Sequence, residues 1–242
     1  MLISVPVLKK YWGVNPSSIV HVGAHNAEEL EAYASAGWGP VTWIEAQPEK
    51  VAYLQKIIPS EHKLIEAAVW NTSGESLNLN IMTNTESTSL LALGTHSTEH
   101  PDIHLSYTLP IKTKTLSELL IDSPAPDLLA LDIQGVELRA IKGYGLKIAE
   151  VKWVYCEVNK AELYEGCCQI TEIDDYLSQF GFKRAVTRWT IHHWGDALYV
   201  NINKTEARNL KQNILAKLYL SDWFFRNTLS RSKGVIRSLL MK

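Results

Sequence analysis

Three carboxylates stand beside runs of apolar residues, in positions that suit proton transfer. Asp132 ends one such run, Glu157 lies near the end of another, and Asp196 precedes a third. A carboxylate at the end of a buried strand needs a partner or a chemical role. Asp132, Glu157 and Asp196 are therefore candidate catalytic residues, one of which could act as a general base. Together they are also candidate oxygen ligands of a divalent metal.

A glycine turn and an acid further along the chain suit a nucleoside ligand. Gly23 lies between a predicted buried strand, Ser18–Gly23, and a predicted helix, Ala27–Ala36, with Asn26 as its N-cap. The backbone can approach a ligand closely at a glycine, and the free N–H groups of a helix start can bind an anionic group. Glu45 follows Gly23 by 22 residues and could accept both ribose hydroxyls of NAD or of S-adenosylmethionine.

The elements that must position these residues alternate between strand and helix. Residues 83–104 are rich in Thr, Ser, His and Asn and predict a long mobile loop. Pro48 suits the first turn of a second helix. Strands are predicted at Val41–Ala46, Leu64–Val69, Ser76–Met82, Asp127–Ile133, Val151–Val158, Lys183–Thr190 and Ala197–Ile202.

The order of these elements predicts the fold. Alternation of strands and helices indicates a parallel sheet with helices on both faces. The last two strands have no helix between them, which indicates an antiparallel hairpin. Dinucleotide-binding Rossmann sheets normally lack this hairpin, and no GxGxxG motif is present. We therefore expect a class I methyltransferase fold: an α/β, Rossmann-like, seven-stranded, mostly parallel sheet with ligands at the carboxyl ends of its strands.

Several segments, in order over roughly residues 8–202, resemble the FkbM-type methyltransferase family. They include IVHVGAHNAEE, WIEAQPE, EAAVWNTSG, PDLLALDIQGVELRAIKG, VYCEVN and WGDALYV. The resemblance implies an S-adenosylmethionine-dependent O-methyltransferase acting on hydroxyls of sugars, glycolipids or secondary metabolites. We expect the acceptor to be a sugar hydroxyl in a glycan, polysaccharide or glycolipid.

The resemblance and the strand ends together give the expected site. The expected cofactor residues are His21, Gly23, Ala24, His25, Asn26, Glu29, Glu45, Ala46, Ala68, Val69, Asp132 and Gln134. The expected substrate residues are Asn159, Trp189, His193 and Trp194, because amides bind polyols and indole faces stack on sugars. His192 and His193 are further candidates for the base. A divalent metal is compatible with the sequence but is not required by it.

The first loop departs from the commoner family pattern. That pattern has Asp, Asn and Gly where this chain has His21, His25 and Ala27. The acidic contact to the cofactor ammonium is therefore absent from the first position. We expect Asp132 to take over this contact, a role that competes with its candidate role as base.

Other functions remain open at this stage. A small-molecule secondary metabolite is an alternative acceptor, and a non-catalytic relative that binds a glycan or a partner is an alternative to the enzyme. Two rival enzyme classes fit less well. An oxidoreductase would be expected to carry GxGxxG, and a nucleic-acid base methyltransferase would be expected to carry Asp/Asn-Pro-Pro-Tyr and a basic surface. We therefore expect no nucleic-acid partner.

Composition divides the chain of 242 residues into an acidic body and a basic tail. Residues 1–203 are the predicted methyltransferase domain, with 1–17 as a helical lead-in, and carry a net charge of −9. Residues 204–242 carry +7. The tail suits an amphipathic helix at an anionic membrane surface, and it suits equally a helix packed on the body or on a second subunit of a homodimer. Because we identify no signal peptide, we expect a cytoplasmic protein. The basic tail suggests, as an alternative, peripheral attachment to the inner membrane surface.

Overall fold

The computed structural model of the chain describes residues 1–95, 97, 100–206, 216, 217, 219 and 220. The helices are α1 (Val5–Trp12), α2 (Leu30–Ala36), α3 (Pro48–Ile57), α4 (Leu116–Leu119), α5 (Glu137–Tyr144) and α6 (Ile170–Ser178). The strands are β1 (Ile19–Val22), β2 (Val41–Glu45), β3 (Lys63–Glu66), β4 (Ala68–Val69), β5 (Ser76–Met82), β6 (Leu105–Lys114), β7 (Leu128–Leu131), β8 (Trp153–Asn159), β9 (Phe182–Trp189) and β10 (Trp194–Asn201).

The main sheet has seven strands in the order β3-β2-β1-β7-β8-β10-β9. The five strands from β3 to β8 pair in parallel, and β10 is antiparallel to both of its neighbours. The prediction of a class I methyltransferase sheet with a terminal antiparallel hairpin is therefore confirmed. The order reverses at β1, which lies between β2 and β7. The carboxyl ends of these three strands are where this topology leaves a crevice for a ligand.

Both faces of the sheet are buried, because alternate residues of a strand point to opposite faces. Leu129 and Ile44 belong to the apolar core on one face, and Leu128 and Trp43 to the core on the other. Trp43 and Trp153 are buried, as expected of tryptophans within strands. Because both faces of the sheet are covered, polar groups meet a ligand at the loops that follow the strand ends.

The predicted strand Leu64–Val69 is wrong in its extent, since the chain changes sheets within it. β3 pairs with β2, and Ala67 still donates its N–H to the Glu45 carbonyl at 2.9 Å. β4 then pairs with β6 in a second sheet of three strands, β4-β6-β5. The sequence reasoning did not predict this second sheet.

The predicted helix Ala27–Ala36 begins later than expected, at Leu30. His25 and Ala27 have φ of 45° and 56°, in the left-handed region that a right-handed helix does not use. Asn26 is therefore not an N-cap. Its side-chain oxygen accepts a hydrogen bond from Lys50 at 2.9 Å, and Glu29 is the residue that precedes the helix.

Residues 83–104 were expected to be a mobile loop, but hydrogen bonds anchor most of the described part. A short 3₁₀ helix at Thr85–Ser87 is capped by the Asn84 side chain. Ser89 pairs with Asn80 of β5 through two backbone hydrogen bonds of 2.8 and 3.3 Å. Polar composition therefore marks a segment that is fixed by hydrogen bonds along the cavity.

Most of residues 204–242, including the apolar positions expected to form a membrane-binding face, lies outside the described residues. Of the described part, Ala216 is buried, and the Tyr219 ring lies 5.0 Å from Tyr11 and 5.4 Å from Trp12 between ring centroids. This part of the tail packs on α1. Among the described residues, no helix has the length and apolarity needed to cross a bilayer.

Gly23 and Gly74 provide a test of the close approach between the first loop and β7. Both have φ near +85°, but a Cβ at Gly23 would lie 1.9 Å from the Asp132 carbonyl oxygen, whereas a Cβ at Gly74 would meet nothing within 4 Å. Gly74→Ala should lower the free energy of unfolding by about 1 kcal/mol, the cost of left-handed backbone. Gly23→Ala should lower it by more than about 3 kcal/mol in urea denaturation. Equal losses would contradict the close approach.

Candidate functional site

A cavity of about 490 Å³ opens at the carboxyl ends of β1, β2, β7 and β8. This volume lies within the range of about 300–1,000 Å³ that is usual for small-molecule sites. The loops after β1 and β2 line the expected cofactor end, and the β9–β10 hairpin, further along the sheet, lines the expected acceptor end. Residues 84–90 also line the cavity, and they contact the first loop, where Thr85 Oγ1 lies 2.9 Å from His25 Nε2. The cavity thus joins the expected cofactor end to the expected acceptor end.

The Glu45 carboxylate closes the cofactor end. Its Oε2 accepts a hydrogen bond from the His25 N–H at 2.7 Å, and its Oε1 accepts the N–H groups of Ala46 and Gln47, both at 2.8 Å. These bonds fix the carboxylate at the cavity wall. Each oxygen retains lone-pair capacity for a further donor, such as a ribose hydroxyl.

His21 lines the cavity, but its ring belongs to an aromatic stack. Its Nδ1 lies 3.2 Å from the Tyr33 hydroxyl, and its ring lies 4.8 Å from Trp43 between centroids. Burial lowers the pKa of His21 below its ordinary value. The neutral form is therefore favoured, so this position offers no fixed charge to a ligand.

The turn after β7 is held by Glu137, a fully buried acid. Its Oε1 accepts the Ile133 N–H at 3.0 Å, and both of its oxygens accept the Gly135 N–H at 3.1–3.2 Å. Burial raises the pKa of Glu137 to about 7, against the opposing effect of these backbone hydrogen bonds. The turn presents Asp132 and Gln134 to the cavity.

The Gln134 amide links two carboxylates. Its Nε2 donates to Asp132 Oδ1 at 2.7 Å and to Glu157 Oε2 at 3.0 Å. Asp132 is exposed to the cavity, yet surrounding protein desolvates it. This desolvation, together with the charge of Asp196, raises the pKa of Asp132 to about 6. Burial and the charge of Asp132 raise the pKa of the buried Glu157 well above its ordinary value.

Asp196 stands directly opposite Glu157 in the β8–β10 pairing. Like charges in this position are unfavourable, and burial raises the pKa of Asp196. Its Oδ2 accepts the Leu2 N–H at 2.5 Å and the Tyr155 hydroxyl. The Met1 ammonium, bound to Glu29 at 3.0 Å, also lines this part of the cavity.

Among its described residues, the lining contains seven acids and neither lysine nor arginine. The acids are Glu28, Glu29, Glu45, Glu86, Asp132, Glu157 and Asp196. Histidine, serine and threonine side chains supply most of the other polar groups. Such a lining favours cationic or neutral ligands over anionic ones.

The three carboxylates proposed as metal ligands do not converge on one point. Within the described chain, one group of His, Cys, Asp and Glu residues has its ligand atoms within 4.8 Å of one another, namely His25, Glu28 and Glu86. The Gln134 amide lies between Asp132 and Glu157 and donates to both. The geometry of these two carboxylates therefore suits a shared hydrogen-bond donor. The two glutamates of the other group are exposed.

Most of the sequence-predicted site residues line the cavity. They are His21, Gly23, His25, Glu29, Glu45, Ala46, Ala68, Val69, Asp132, Gln134, Glu157, Trp194 and Asp196. Ala24, Asn26, Asn159, Trp189 and His193 are not among the lining residues. The expected roles of these five residues in binding stay predictions.

The surroundings of these five residues differ from the expected ones. Ala24 packs in the core, and Asn26 binds Lys50. Asn159 is buried, and its Oδ1 has no hydrogen-bond partner among the described residues. Trp189 carries the Lys160 ammonium 4.2 Å from its ring centroid. His193 has a φ of 64° in the turn between β9 and β10, and its neighbour His192 lines the cavity instead.

Tyr164 and Ser89 were missed by the sequence reasoning. Both line the cavity and both contact Gln134: the Tyr164 hydroxyl donates to Gln134 Oε1 at 2.6 Å, and Ser89 Oγ donates to the Gln134 carbonyl at 2.7 Å. The only signal in the sequence was the ELYEG segment that contains Tyr164, and nothing in the segment indicated what Tyr164 would contact.

Comparison with known proteins gives a family match over residues 21–184, to the methyltransferase FkbM domain. This match covers more than half of the chain. No curated protein sequence matches significantly.

Several solved structures are similar. The TrmK protein of M. capricolum in complex with S-adenosyl-homocysteine is 10% identical, with 94% of this chain and 86% of that chain covered and a TM-score of 0.46. The ribosomal protein L11 methylase of Lactobacillus delbrueckii subsp. bulgaricus is 11% identical, with 78% and 71% covered and a TM-score of 0.46. The precorrin-6y C5,15-methyltransferase of Geobacter metallireducens GS-15 is 14% identical, with 79% and 83% covered and a TM-score of 0.43.

The raised pKa of Asp132 predicts a specific effect of pH on stability. Because folded Asp132 keeps its proton to about pH 6 and the unfolded chain releases it near pH 4, this group destabilises the fold increasingly between these values. Asp132→Asn lacks the titration. Its free energy of unfolding relative to the wild type should therefore rise between pH 4 and pH 6. Asp122→Asn, at an exposed aspartate, is the control. A constant difference across this range for Asp132→Asn would contradict the desolvation of Asp132.

Proposed function

Because this chain belongs to the FkbM methyltransferase family, we propose that it transfers a methyl group from S-adenosylmethionine to a sugar hydroxyl in a glycan, polysaccharide or glycolipid. The observation that carries the proposal is one cavity with a fixed acid, Glu45, at one end and the linked acids Asp132 and Glu157 further in. The first suits a ribose diol, and the second suits proton removal from an alcohol.

The residues of the cofactor end fit S-adenosylmethionine. Gly23 lets the backbone loops meet closely, and Glu45 offers carboxylate oxygens to the ribose hydroxyls. The acidic lining suits a ligand that carries a sulfonium and an ammonium group, and Glu29 is the acid proposed to face the ammonium. When bound, S-adenosylmethionine supplies an activated methyl group.

Asp132 is the proposed general base. In the described part of the chain, its Oδ1 accepts the Gln134 amide and its Oδ2 accepts no hydrogen bond, so Oδ2 can receive the hydroxyl proton. A pKa of about 6 leaves the carboxylate ionised at neutral pH while keeping it a stronger base than an ordinary aspartate. The acceptor oxygen gains the methyl group as its proton passes to Asp132.

The acceptor is proposed to be uncharged where it enters the cavity. The lining has seven acids and neither lysine nor arginine among its described residues, so a phosphate or carboxylate on the acceptor would meet like charge. Ser87, Thr88, His100 and His192 offer polar groups at this end, and Trp194 offers an aromatic face. These groups suit the hydroxyls and the apolar face of a neutral sugar.

Donor binding is tested by neutralising Glu45. Glu45→Gln should weaken S-adenosylmethionine binding about 10- to 100-fold in calorimetry, because charge-assisted hydrogen bonds to the ribose are lost. Glu66→Gln is the matched control, since Glu66 pairs with Glu45 in the neighbouring strand but is exposed and does not line the cavity. Binding of NAD but not of S-adenosylmethionine by the wild type would overturn the methyltransferase reaction.

Acceptor chemistry is tested by methyl transfer from labelled S-adenosylmethionine to neutral oligosaccharides, with oligosaccharides of uronic acids as the comparison. The label should enter the neutral sugars as an alkali-stable methyl ether. Asp132→Asn should lower kcat by about 10²- to 10⁴-fold, the usual contribution of a positioned base. Transfer only to small aglycone metabolites would favour the secondary-metabolite acceptor. Glycan binding without any transfer would favour the non-catalytic alternative.

A further inference from the structure

Tyr164 lies beneath the acceptor end of the cavity, in the segment between β8 and α6. Its side chain is 1% exposed and packs with Leu163, Cys167 and Trp194. A Cβ at Gly135 would lie 3.3 Å from Tyr164 Cδ2 and 2.8 Å from Cys167 Cβ. The missing side chain of Gly135 therefore lets the tyrosine reach the turn that carries Asp132.

The Tyr164 hydroxyl and the two inner carboxylates together fix the orientation of the Gln134 amide. The hydroxyl donates to Gln134 Oε1 at 2.6 Å and also lies 3.4 Å from the Ser87 carbonyl oxygen, while the amide nitrogen faces the opposite way, toward Asp132 and Glu157. The reversed amide would aim its oxygen at two carboxylates. Burial and the charge of Glu157 raise the pKa of Tyr164, so the hydroxyl keeps the proton that it donates.

Backbone pairing holds Tyr164 in this position. The Gly94 N–H donates to the Leu163 carbonyl at 2.8 Å, and the Glu165 N–H donates to the Ala92 carbonyl at 2.9 Å. Tyr164 is thus fixed to the segment that follows residues 84–90 of the cavity wall. Its hydroxyl connects this segment, through one amide, to both inner carboxylates.

We propose that Tyr164 is a positioning residue, which through Gln134 holds Asp132 and Glu157 in the arrangement needed for proton transfer from the acceptor. The inference deepens the proposed function and rests on it. The contact of Tyr164 that carries the inference is its hydrogen bond to the amide carbonyl of Gln134. Glu45, which is proposed to bind the ribose, is held by the N–H groups of His25, Ala46 and Gln47, so its position does not rely on Gln134.

Tyr164→Phe tests the proposal by removing only the hydroxyl. With the amide free to reorient, kcat should fall by about tenfold, the order expected for one hydrogen bond, while the dissociation constant for S-adenosylmethionine stays the same. The acid limb of the pH profile should move to higher pH, because the ionised form of Asp132 loses a donor. An unchanged kcat and pH profile in an active enzyme would overturn the inference.

Two further variants separate positioning from a general structural effect. Tyr199→Phe also removes a buried hydroxyl bonded to an acid, Asp174 at 2.9 Å, but Tyr199 does not line the cavity, so kcat and the pH profile should stay unchanged. If Tyr164 acts through Gln134, adding Tyr164→Phe to Gln134→Leu should cost little more than Gln134→Leu alone. Fully additive losses in kcat would contradict this route.

A readout without acceptor separates this inference from the proposed function. The pKa of Asp132, followed by carboxyl-carbon NMR, should rise in Tyr164→Phe and stay constant in Tyr199→Phe. The charged groups that influence the pKa of Asp132 are Glu157, Asp196, Glu29, Glu137 and the Met1 ammonium. Neither substitution removes any of them. An unshifted Asp132 in Tyr164→Phe overturns the inference even in an inactive enzyme. Lack of methyl transfer by the wild type overturns the proposed function alone.

Discussion

The carboxylate of Glu137 is the contact on which the site depends. It has no exposed surface, and it accepts the N–H groups of Ile133 and Gly135. Those two bonds satisfy the backbone of a tight turn that leaves the sheet at the cavity. The turn sets the direction of Asp132 before it and of Gln134 within it. A charged group is costly to bury, and the raised pKa of Glu137 is the sign of that cost.

The main sheet could be predicted because its signals are local. Apolar runs such as Leu128–Leu131 indicate buried strands, and the absence of a helix between β9 and β10 indicates the hairpin. The departures have non-local causes. The chain changes sheets at Ala67 because β6, about 40 residues later, provides the partner of β4. Helix α2 begins late because the loop must bring the His25 N–H to Glu45.

The site was predictable where a residue type and a strand end coincide, as at Glu45, Asp132, Glu157 and Asp196. It was not predictable where contacts join distant segments without a periodic pattern. Gln134 is contacted by Ser89, 45 residues before it, and by Tyr164, 30 residues after it. Trp189 is the opposite case. It was expected to stack on the substrate, but its ring contacts the Lys160 ammonium.

The second sheet has a consequence for how such an enzyme can diversify. The chain enters the second sheet at Ala68 and comes back alongside this residue at Thr113, and the two residues are paired neighbours in β4 and β6. The intervening excursion has ends that are fixed side by side, and the closure entropy of such an excursion grows only slowly with its length. Insertions and deletions inside it can therefore remodel the cavity wall formed by residues 84–90 while β1 and β2 stay in place. Evolution can vary this wall without rebuilding the main sheet.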